Sequence, residues 1–105
     1  MRVRWTKLAE RRAEEAFAYI AAERPSAADR WLVRVLDRVE QLRDHPDGGR
    51  MVPEVGRPEI REVIVAPYRV MYRRDAQQVS VLTVRHARRA FELGEVEADS
   101  LPGLP

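Results

Sequence analysis

The chain contains no cysteine, which excludes disulfide cross-links, thiolate nucleophiles and cysteine-ligated metal sites. Its two histidines, His45 and His86, are not at metal-ligand spacing, so we expect no metal and no cofactor. No apolar run approaches the roughly 18 residues of a transmembrane helix, so no membrane association is expected. Residues 1–5 lack the apolar core of a secretory signal, and we therefore expect a cytoplasmic protein.

Lysine is also nearly absent, since Lys7 is the only one against 18 arginines in a chain of 105 residues. This length predicts a single domain with one modest core. Two explanations for the arginines remain open. They follow from a GC-rich coding sequence, or they serve to recognise phosphate or carboxylate groups through planar guanidinium groups. Only the positions of the arginines bear on the second explanation.

The first half of the sequence predicts a strand followed by two amphipathic helices. Residues 2–5 alternate as in a short strand. Thr6 is a candidate N-cap for a helix over residues 7–22, which Pro25 ends. Ser26, with Asp29 three residues later, resembles a capping box for a second helix that runs to about residue 43. The apolar residues of that second helix recur at helical spacing and are Ala28, Trp31, Leu32, Val35, Leu36, Val39 and Leu42.

After the break at residues 45–49 the apolar period changes to two, which predicts strands over residues 60–65, 68–73 and 78–85. Their short connections make an antiparallel meander. We expect the first strand to join this sheet, because its backbone groups need partners. The last strand is apolar on both sides, which predicts cover on both faces. The fold class is therefore α+β, with the helical hairpin covering one face of a small twisted sheet.

The positive charge is concentrated in residues 50–91, which contain nine arginines and four acidic residues. We expect a surface that binds an anionic partner, either a nucleic acid or an acidic protein segment. The alternative is a solvated face whose arginines protect strand edges. The candidate residues for this anionic-partner surface are Arg61, Arg69, Arg73, Arg85, Arg88 and Arg89.

The last residues differ in character. Residues 92–105 contain four acidic residues and no basic one, and they end in a run rich in proline and glycine. We therefore expect a domain over residues 1–91 and an acidic, flexible tail over residues 92–105.

Two stretches of the sequence resemble toxins of the RelE/ParE superfamily, the toxin halves of bacterial type II toxin–antitoxin modules. One runs from residue 61 to 73 and contains Tyr68-Arg69-Val70-Met71-Tyr72, and the other ends in Val84-Arg85-His86-Ala87-Arg88-Arg89. Gly49-Arg50-Met51-Val52-Pro53-Glu54, Trp5-Thr6 and Pro25-Ser26-Ala27-Ala28 fit the same pattern. The resemblance covers about residues 1–91, and the superfamily's order of strand, helix, helix and strands agrees with the periodicity.

The resemblance implies one of two cellular targets. ParE-like members inhibit DNA gyrase without a catalytic set, whereas RelE-like members cleave mRNA on the ribosome without a metal. The ending His86-x-Arg88-Arg89 looks more like the ParE-like branch. The lysine pair of RelE-like members is missing, and no tyrosine follows Tyr72. We therefore predict a gyrase inhibitor, with a ribosome-dependent mRNA endoribonuclease as the alternative.

For the RelE-like alternative, the resemblance points to four catalytic candidates. Arg69 and Arg88 would stabilise the phosphate in the transition state, and His86 would act as general acid, with Glu62 as its base. The other interpretation of His86 is a histidine that is hydrogen-bonded where its strand ends.

Either branch implies a cognate antitoxin as partner, with a toxin–antitoxin heterotetramer as one arrangement. We expect an acidic, amphipathic segment of that antitoxin to bind between the second-helix stripe and the sheet edge. The candidate residues are Trp31, Leu32 and Val35. A helical stripe of this kind serves equally well as core, so the same residues also fit a buried position.

Overall fold

The computed structural model describes residues 1–97, which form one sheet, a helical hairpin and a short final helix. The strands are β1 (Arg2–Trp5), β2 (Arg50–Met51), β3 (Ile60–Val65), β4 (Tyr68–Arg74) and β5 (Gln78–His86). The helices are α1 (Lys7–Glu23), α2 (Pro25–Gln41) and α3 (Leu93–Glu97). The predicted α+β class is confirmed. Across the described residues, no helix combines the length and apolar character needed to cross a membrane.

The five strands lie in the order β1-β5-β4-β3-β2. β1 pairs with β5 in parallel, and the other neighbours are antiparallel, which confirms that the first strand joins the predicted meander. β2 was not predicted as a strand, because two residues are too few to show a period. The register of β4 and β5 shifts at Met71/Tyr72, so that β5 has one extra residue, Leu82.

The two long helices begin in different ways. Thr6 caps α1 as predicted, because its hydroxyl accepts a hydrogen bond from the Ala9 backbone N–H at 3.0 Å. The prediction of a cap at Ser26 is wrong. α2 begins two residues earlier than that cap implies, at Pro25, where a proline costs no helical hydrogen bond, and Arg24 occupies the cap position without a side-chain hydrogen bond.

The main core lies between the helical hairpin and one side of the sheet, called here the hairpin face. The buried strand residues on this face are Val63, Val65, Tyr68, Val70, Tyr72, Val79, Val81 and Val84. Trp31 of α2 packs among them, and its indole N–H donates to the Val65 carbonyl at 3.2 Å. This bond satisfies the one polar group that the large side chain brings into the core.

The opposite side of the sheet, called here the α3 face, carries a second and smaller cluster of Val52, Ile60, Met71, Leu82 and Val96. Because Val96 belongs to α3, this helix is ordered by packing on the sheet, which differs from the expected flexible tail beginning at residue 92. The rest of that expected tail, residues 98–105, lies outside the described residues. β5 separates the two clusters, which confirms that it is covered on both faces.

Candidate functional site

Arg69 lies on the α3 face, where three hydrogen bonds to two carboxylates neutralise its guanidinium group. Its Nε donates to Glu62 at 2.7 Å, and its two terminal nitrogens donate to Glu54 at 2.8 and 2.7 Å. Arg50 adds a second cation to the buried Glu62, at 2.6 Å. The hydrogen bonds from Arg69 lower the pKa of Glu54 to about 2, and the same pairing raises the pKa of Arg69 above its ordinary value.

Arg85 stands directly opposite Arg69 in the register of β5 and β4, and it too is neutralised. Its Nη1 donates to the buried carboxylate of Glu95 from α3. Arg12 of α1 donates to the other oxygen of that carboxylate at 2.6 Å. Burial raises the pKa of Glu95, but the hydrogen bonds from Arg12 and Arg85 outweigh burial and leave that pKa below its ordinary value. The Glu95 carboxylate thus links α1, α3 and β5.

A cleft of about 560 Å³ opens beyond the end of β5, between that strand and α1. We call it the α1–β5 cleft. Its lining residues are Arg12, Glu15, Ala16, Tyr19, Tyr68, Val84, His86, Arg88 and Arg89. The cleft combines an aromatic and aliphatic floor with arginines at its rim.

His86 is fixed at this rim by two contacts. Its Nδ1 accepts a hydrogen bond from the Arg88 backbone N–H at 3.1 Å, and its ring meets Tyr68 edge-on with 5.2 Å between centroids. An accepting Nδ1 leaves the proton of a neutral imidazole on Nε2. The interpretation of His86 as a histidine hydrogen-bonded at the end of its strand therefore matches the geometry.

Comparison with known proteins identifies the family. The family model described as ParE toxin of type II toxin–antitoxin system, parDE, matches residues 3–91. The chain belongs to the ParE toxin family. The toxin is also 40% identical over 93 residues to a protein of Sinorhizobium fredii (strain NBRC 101917 / NGR234) that is named as a toxin, Y4kP. The match covers 86% of this chain and 92% of the relative.

A solved structure titled as a chromosomal ParDE TA system from P. aeruginosa has the same fold. Its TM-score with this toxin is 0.68, and the match covers 82% of this chain and 95% of the other. The sequence identity is 17%, so this likeness supports the fold alone. The order of elements inferred from the RelE/ParE resemblance is thus confirmed, and the ParE-like branch favoured from the sequence is the family that matches.

The structure divides the arginines of the predicted anionic-partner surface among separate environments. Arg61 pairs with Tyr72 in the register and so lies on the hairpin face, where its Nη1 donates to the Gly49 carbonyl at 2.9 Å. Arg69 and Arg85 lie on the α3 face and are internally neutralised. Arg73 lies further along that same face, between Ile60 and Ser80 in the register. A single basic sheet face is therefore absent from residues 1–97.

Arg88 and Arg89 differ from these arginines because both side chains are exposed at the α1–β5 cleft. Neither guanidinium group forms an ion pair with a carboxylate in the part of the chain that the structure describes. Of the six predicted positions, these two are the ones that offer positive charge beside a concave surface.

The catalytic candidates of the RelE-like alternative are not brought together. Glu62 pairs with Met71 in the register and lies on the α3 face, whereas His86 pairs with Tyr68 and lies on the hairpin face. A sheet therefore separates the proposed base from the proposed acid. Arg69 lies with Glu62, and Arg88 lies with His86, so the phosphate-stabilising pair is divided in the same way.

The three antitoxin-binding candidates on α2 face inward. Trp31 and Val35 have exposed fractions of 1% and 0%, and Leu32 is half-buried against the same core. The core alternative is thus the one observed for Trp31 and Val35, which cover the hairpin face, whereas Leu36 of the same stripe is 50% exposed. A partner cannot reach Trp31 or Val35 without unpacking the domain.

Sequence reasoning missed Glu54, Glu95, Arg12 and Tyr19 as parts of these sites. Glu54 and Glu95 come from a loop and from a five-residue helix, neither of which has a period that reveals its direction. Tyr19 did carry a usable signal. It lies outside the apolar stripe of α1, and a large aromatic at such a position is 73% exposed in the structure.

Proposed function

We propose that this ParE-family toxin inhibits DNA gyrase by binding it in the cytoplasm, and that a cognate antitoxin neutralises the toxin. The observation that supports binding over RNA cleavage is the neutralisation of Arg69 by Glu54 and Glu62. The charge of that guanidinium group is already neutralised by two carboxylates, and three of its five N–H donors are committed to them, so it is poorly placed to stabilise a developing phosphorane charge. The candidate acid and base, His86 and Glu62, lie on opposite sides of the sheet.

Expression of the toxin from a tightly regulated promoter in bacteria tests the target. The proposal predicts induction of a DNA-damage reporter, intact mRNA by primer extension, and inhibition of supercoiling when purified toxin is added to purified gyrase. Codon-linked mRNA cleavage before any DNA damage, with unaffected supercoiling, would instead establish the ribosome-dependent endoribonuclease.

Co-expression with the protein encoded beside the toxin gene tests neutralisation. Growth is expected to recover, and the two proteins are expected to co-purify. Light scattering of the purified complex then measures its stoichiometry, for which a toxin–antitoxin heterotetramer is one arrangement. Growth arrest that persists at a high antitoxin level would contradict this part of the proposal.

A further inference from the structure

The helix α2 exposes two large apolar side chains that the core does not use. Val33 is 57% exposed and Leu36 is 50% exposed, and the two lie three residues apart on one side of the helix. In the part of the chain that the structure describes, the other exposed large apolar residues each belong to a different segment; they are Met1, Tyr19, Met51, Ile64 and Leu93. Single exposed apolar residues are normal on a protein surface, whereas an adjacent pair indicates a contact surface.

Exposed charged residues flank this apolar pair along α2. Asp29 and Arg30 precede Val33, and Asp37 follows Leu36. Within residues 1–97, no ion pair neutralises any of these three charges. We call the five residues the α2 patch. Because the patch holds charges of both signs beside apolar surface, a partner that fits it needs the same combination.

The order of these residues makes the α2 patch complementary to a second copy of itself. When two α2 helices pack antiparallel about a twofold axis between Val33 and Leu36, Val33 of each copy lies against Leu36 of the other. Arg30 and Asp37 are seven residues apart and so lie along one line on the helix surface. The axis therefore brings Arg30 of one copy to within about one helical turn of Asp37 of the other, and this pair occurs twice.

The opposite flank of the helix is complementary as well. In the same arrangement, Asp29 of one copy lies within about one turn of Arg43 of the other, in the turn that follows α2. Arg43 also binds Glu40 of its own chain at 2.7 Å, so its guanidinium group would serve two carboxylates there. Opposite charges thus meet on both flanks of the apolar pair.

Other arrangements and other partners fit the α2 patch less well. In a parallel pair of helices, Arg30 would lie against Arg30 and Asp37 against Asp37, and like charges repel. The patch contains two carboxylates and one guanidinium group, so it lacks the continuous positive charge that a nucleic acid needs. An antiparallel second copy satisfies the apolar and the charged members together.

We propose that the α2 patch joins two copies of this toxin into an antiparallel, twofold-symmetric dimer. Val33 and Leu36 of the two copies form its apolar centre, and Arg30 pairs with Asp37 across the axis. Because each copy contributes one helix, the interface is small, and the dimer is expected to dissociate on dilution. No residue of α2 lines the α1–β5 cleft, so pairing leaves that cleft open in both copies. The inference is independent of the toxin's target and of its antitoxin.

Sedimentation velocity of the purified toxin over a series of concentrations measures self-association. Arg30→Asp and Asp37→Arg are each expected to weaken the dimer at least about tenfold, because each change makes both copies of the ion pair repulsive. The double variant Arg30→Asp/Asp37→Arg is expected to recover most of the affinity, since the pair is reversed and restored. An equimolar mixture of the two single variants is expected to associate more strongly than either variant alone.

The apolar centre is tested in the same assay. Leu36→Glu places a charge against Val33 of the second copy and is expected to weaken the dimer at least about tenfold. Its matched control is Tyr19→Glu, which makes the same kind of change at an exposed position on α1. Arg88→Asp is the control for charge reversal at an exposed arginine. Both controls are expected to dimerise as the unaltered toxin does, and circular dichroism verifies the folding of every variant.

The possible outcomes decide between this dimer and other uses of the patch. A toxin that sediments as a monomer at every concentration overturns the inference. A dimer that Arg30→Asp and Leu36→Glu weaken no more than the controls do forms through another surface, and the inference is then also wrong. Co-purification with the protein encoded beside the toxin gene is measured in parallel. If Leu36→Glu abolishes that co-purification while the unaltered toxin is monomeric, the patch binds a different partner and not a second copy.

Discussion

Arg69 and Arg85 each carry a charged guanidinium group that is buried on the α3 face of the sheet. Their side chains are 10% and 5% exposed, so each would carry a large desolvation cost if left unpaired. The toxin supplies carboxylates from elements outside β4 and β5, namely Glu54 from a loop and Glu95 from α3. The α3 face therefore contains charged residues, but the positive charges of Arg69 and Arg85 are balanced by the carboxylates paired with them.

The first prediction concerns Glu95. Glu95→Gln keeps the shape of the side chain but removes the charge that neutralises buried Arg85, so we expect the free energy of unfolding to fall by about 3 kcal/mol. Urea denaturation followed by circular dichroism measures the change. The control is Glu92→Gln, whose carboxylate is exposed and lies 3.7 Å from Arg85. A change no larger for Glu95→Gln than for this control would contradict the assigned role.

The second prediction concerns acid. Arg69 depresses the pKa of Glu54 to about 2 in the folded toxin, from an ordinary value of 4.5. A depressed pKa stabilises the fold above the ordinary value, and this contribution is lost as the pH falls from 4.5 towards 2. Glu95, whose pKa is also lowered, acts in the same direction. We expect the free energy of unfolding to decline across this window, by a modest amount for Glu54 because its side chain is 38% exposed.

Urea titrations at a series of pH values measure this decline. Glu54→Gln is expected to be less stable at neutral pH and to show a shallower decline with acid. Glu14→Gln, which alters an exposed carboxylate on α1 without an ion pair to any described residue, is expected to keep the original slope. If the free energy of unfolding falls with pH at the same rate in the unaltered toxin, Glu54→Gln and Glu14→Gln, then protonation of Glu54 does not contribute to acid destabilisation.

At the scale of single residues, only part of the candidate site could be predicted from the sequence. Arg69 and Arg73 lie on the side of β4 opposite Tyr68, Val70 and Tyr72, as the period of two along a strand requires. That period did not reveal that Glu54 and Glu95 reach the arginines, because neither residue belongs to a periodic element. The net charge of residues 50–91 thus led us to expect a larger basic surface than the structure has, because some of its arginines are paired with carboxylates of the same chain.

At the scale of single elements, α1 and α2 are stabilised in different ways, α1 by a side-chain cap at its start and α2 by packing of its buried residues. Thr6 both accepts from the Ala9 N–H and donates to the Leu82 carbonyl at 3.1 Å, so it fixes α1 against β5 as well as capping it. α2 has no side-chain cap, and its stability comes from the buried stripe that includes Trp31 and Val35.

The third prediction follows from this difference. Thr6→Ala is expected to lower the free energy of unfolding by about 1–2 kcal/mol, because it removes the cap and leaves a backbone donor without its partner. Ser26→Ala is the matched control, since Ser26 is exposed in the first turn of α2 and is not its cap. We expect little change for it, and a slight gain is consistent with the better helix propensity of alanine. Equal losses in thermal denaturation would show that the sequence motif at Ser26 acts as a cap after all.

The elements in which a periodic pattern extends over many residues were predictable from the sequence, and the elements of only a few residues were not. The stripe of α2 and the alternation of β3, β4 and β5 gave bounds within a residue or two of those observed. β2 and α3 contain two and five residues, and both owe their existence to neighbours, β3 for the first and the α3-face cluster for the second. Contacts with distant residues, which sequence periodicity does not encode, decide such elements.

At the scale of the whole molecule, α3 joins parts of the toxin that are otherwise separate. Val96 completes the cluster on the α3 face, and Glu95 connects Arg12 of α1 to Arg85 of β5. The short helix thus extends the domain past residue 91, where both the expected boundary and the family match end.

The fourth prediction compares two truncated chains, one ending at residue 91 and one ending at Glu97. The longer chain keeps the contacts that α3 makes within residues 1–97, whereas the shorter one exposes Leu82 and Met71 and leaves Arg85 without Glu95. We expect the shorter chain to be less stable than the longer one by about 3 kcal/mol or more, as judged by urea denaturation. Equal midpoints would show that α3 contributes nothing to the fold.

The position of β5 has a consequence for synthesis. This strand pairs with both β1 and β4 and separates the two apolar clusters, yet it begins at residue 78. A nascent chain that stops short of β5 has made both long helices but cannot cover their apolar sides, and β1 has no neighbour to pair with. Folding therefore depends on contacts between the two ends of the sequence, which are intrinsically slow to form. A chain that is still being synthesised therefore lacks its native surface until the residues of β5 have been added.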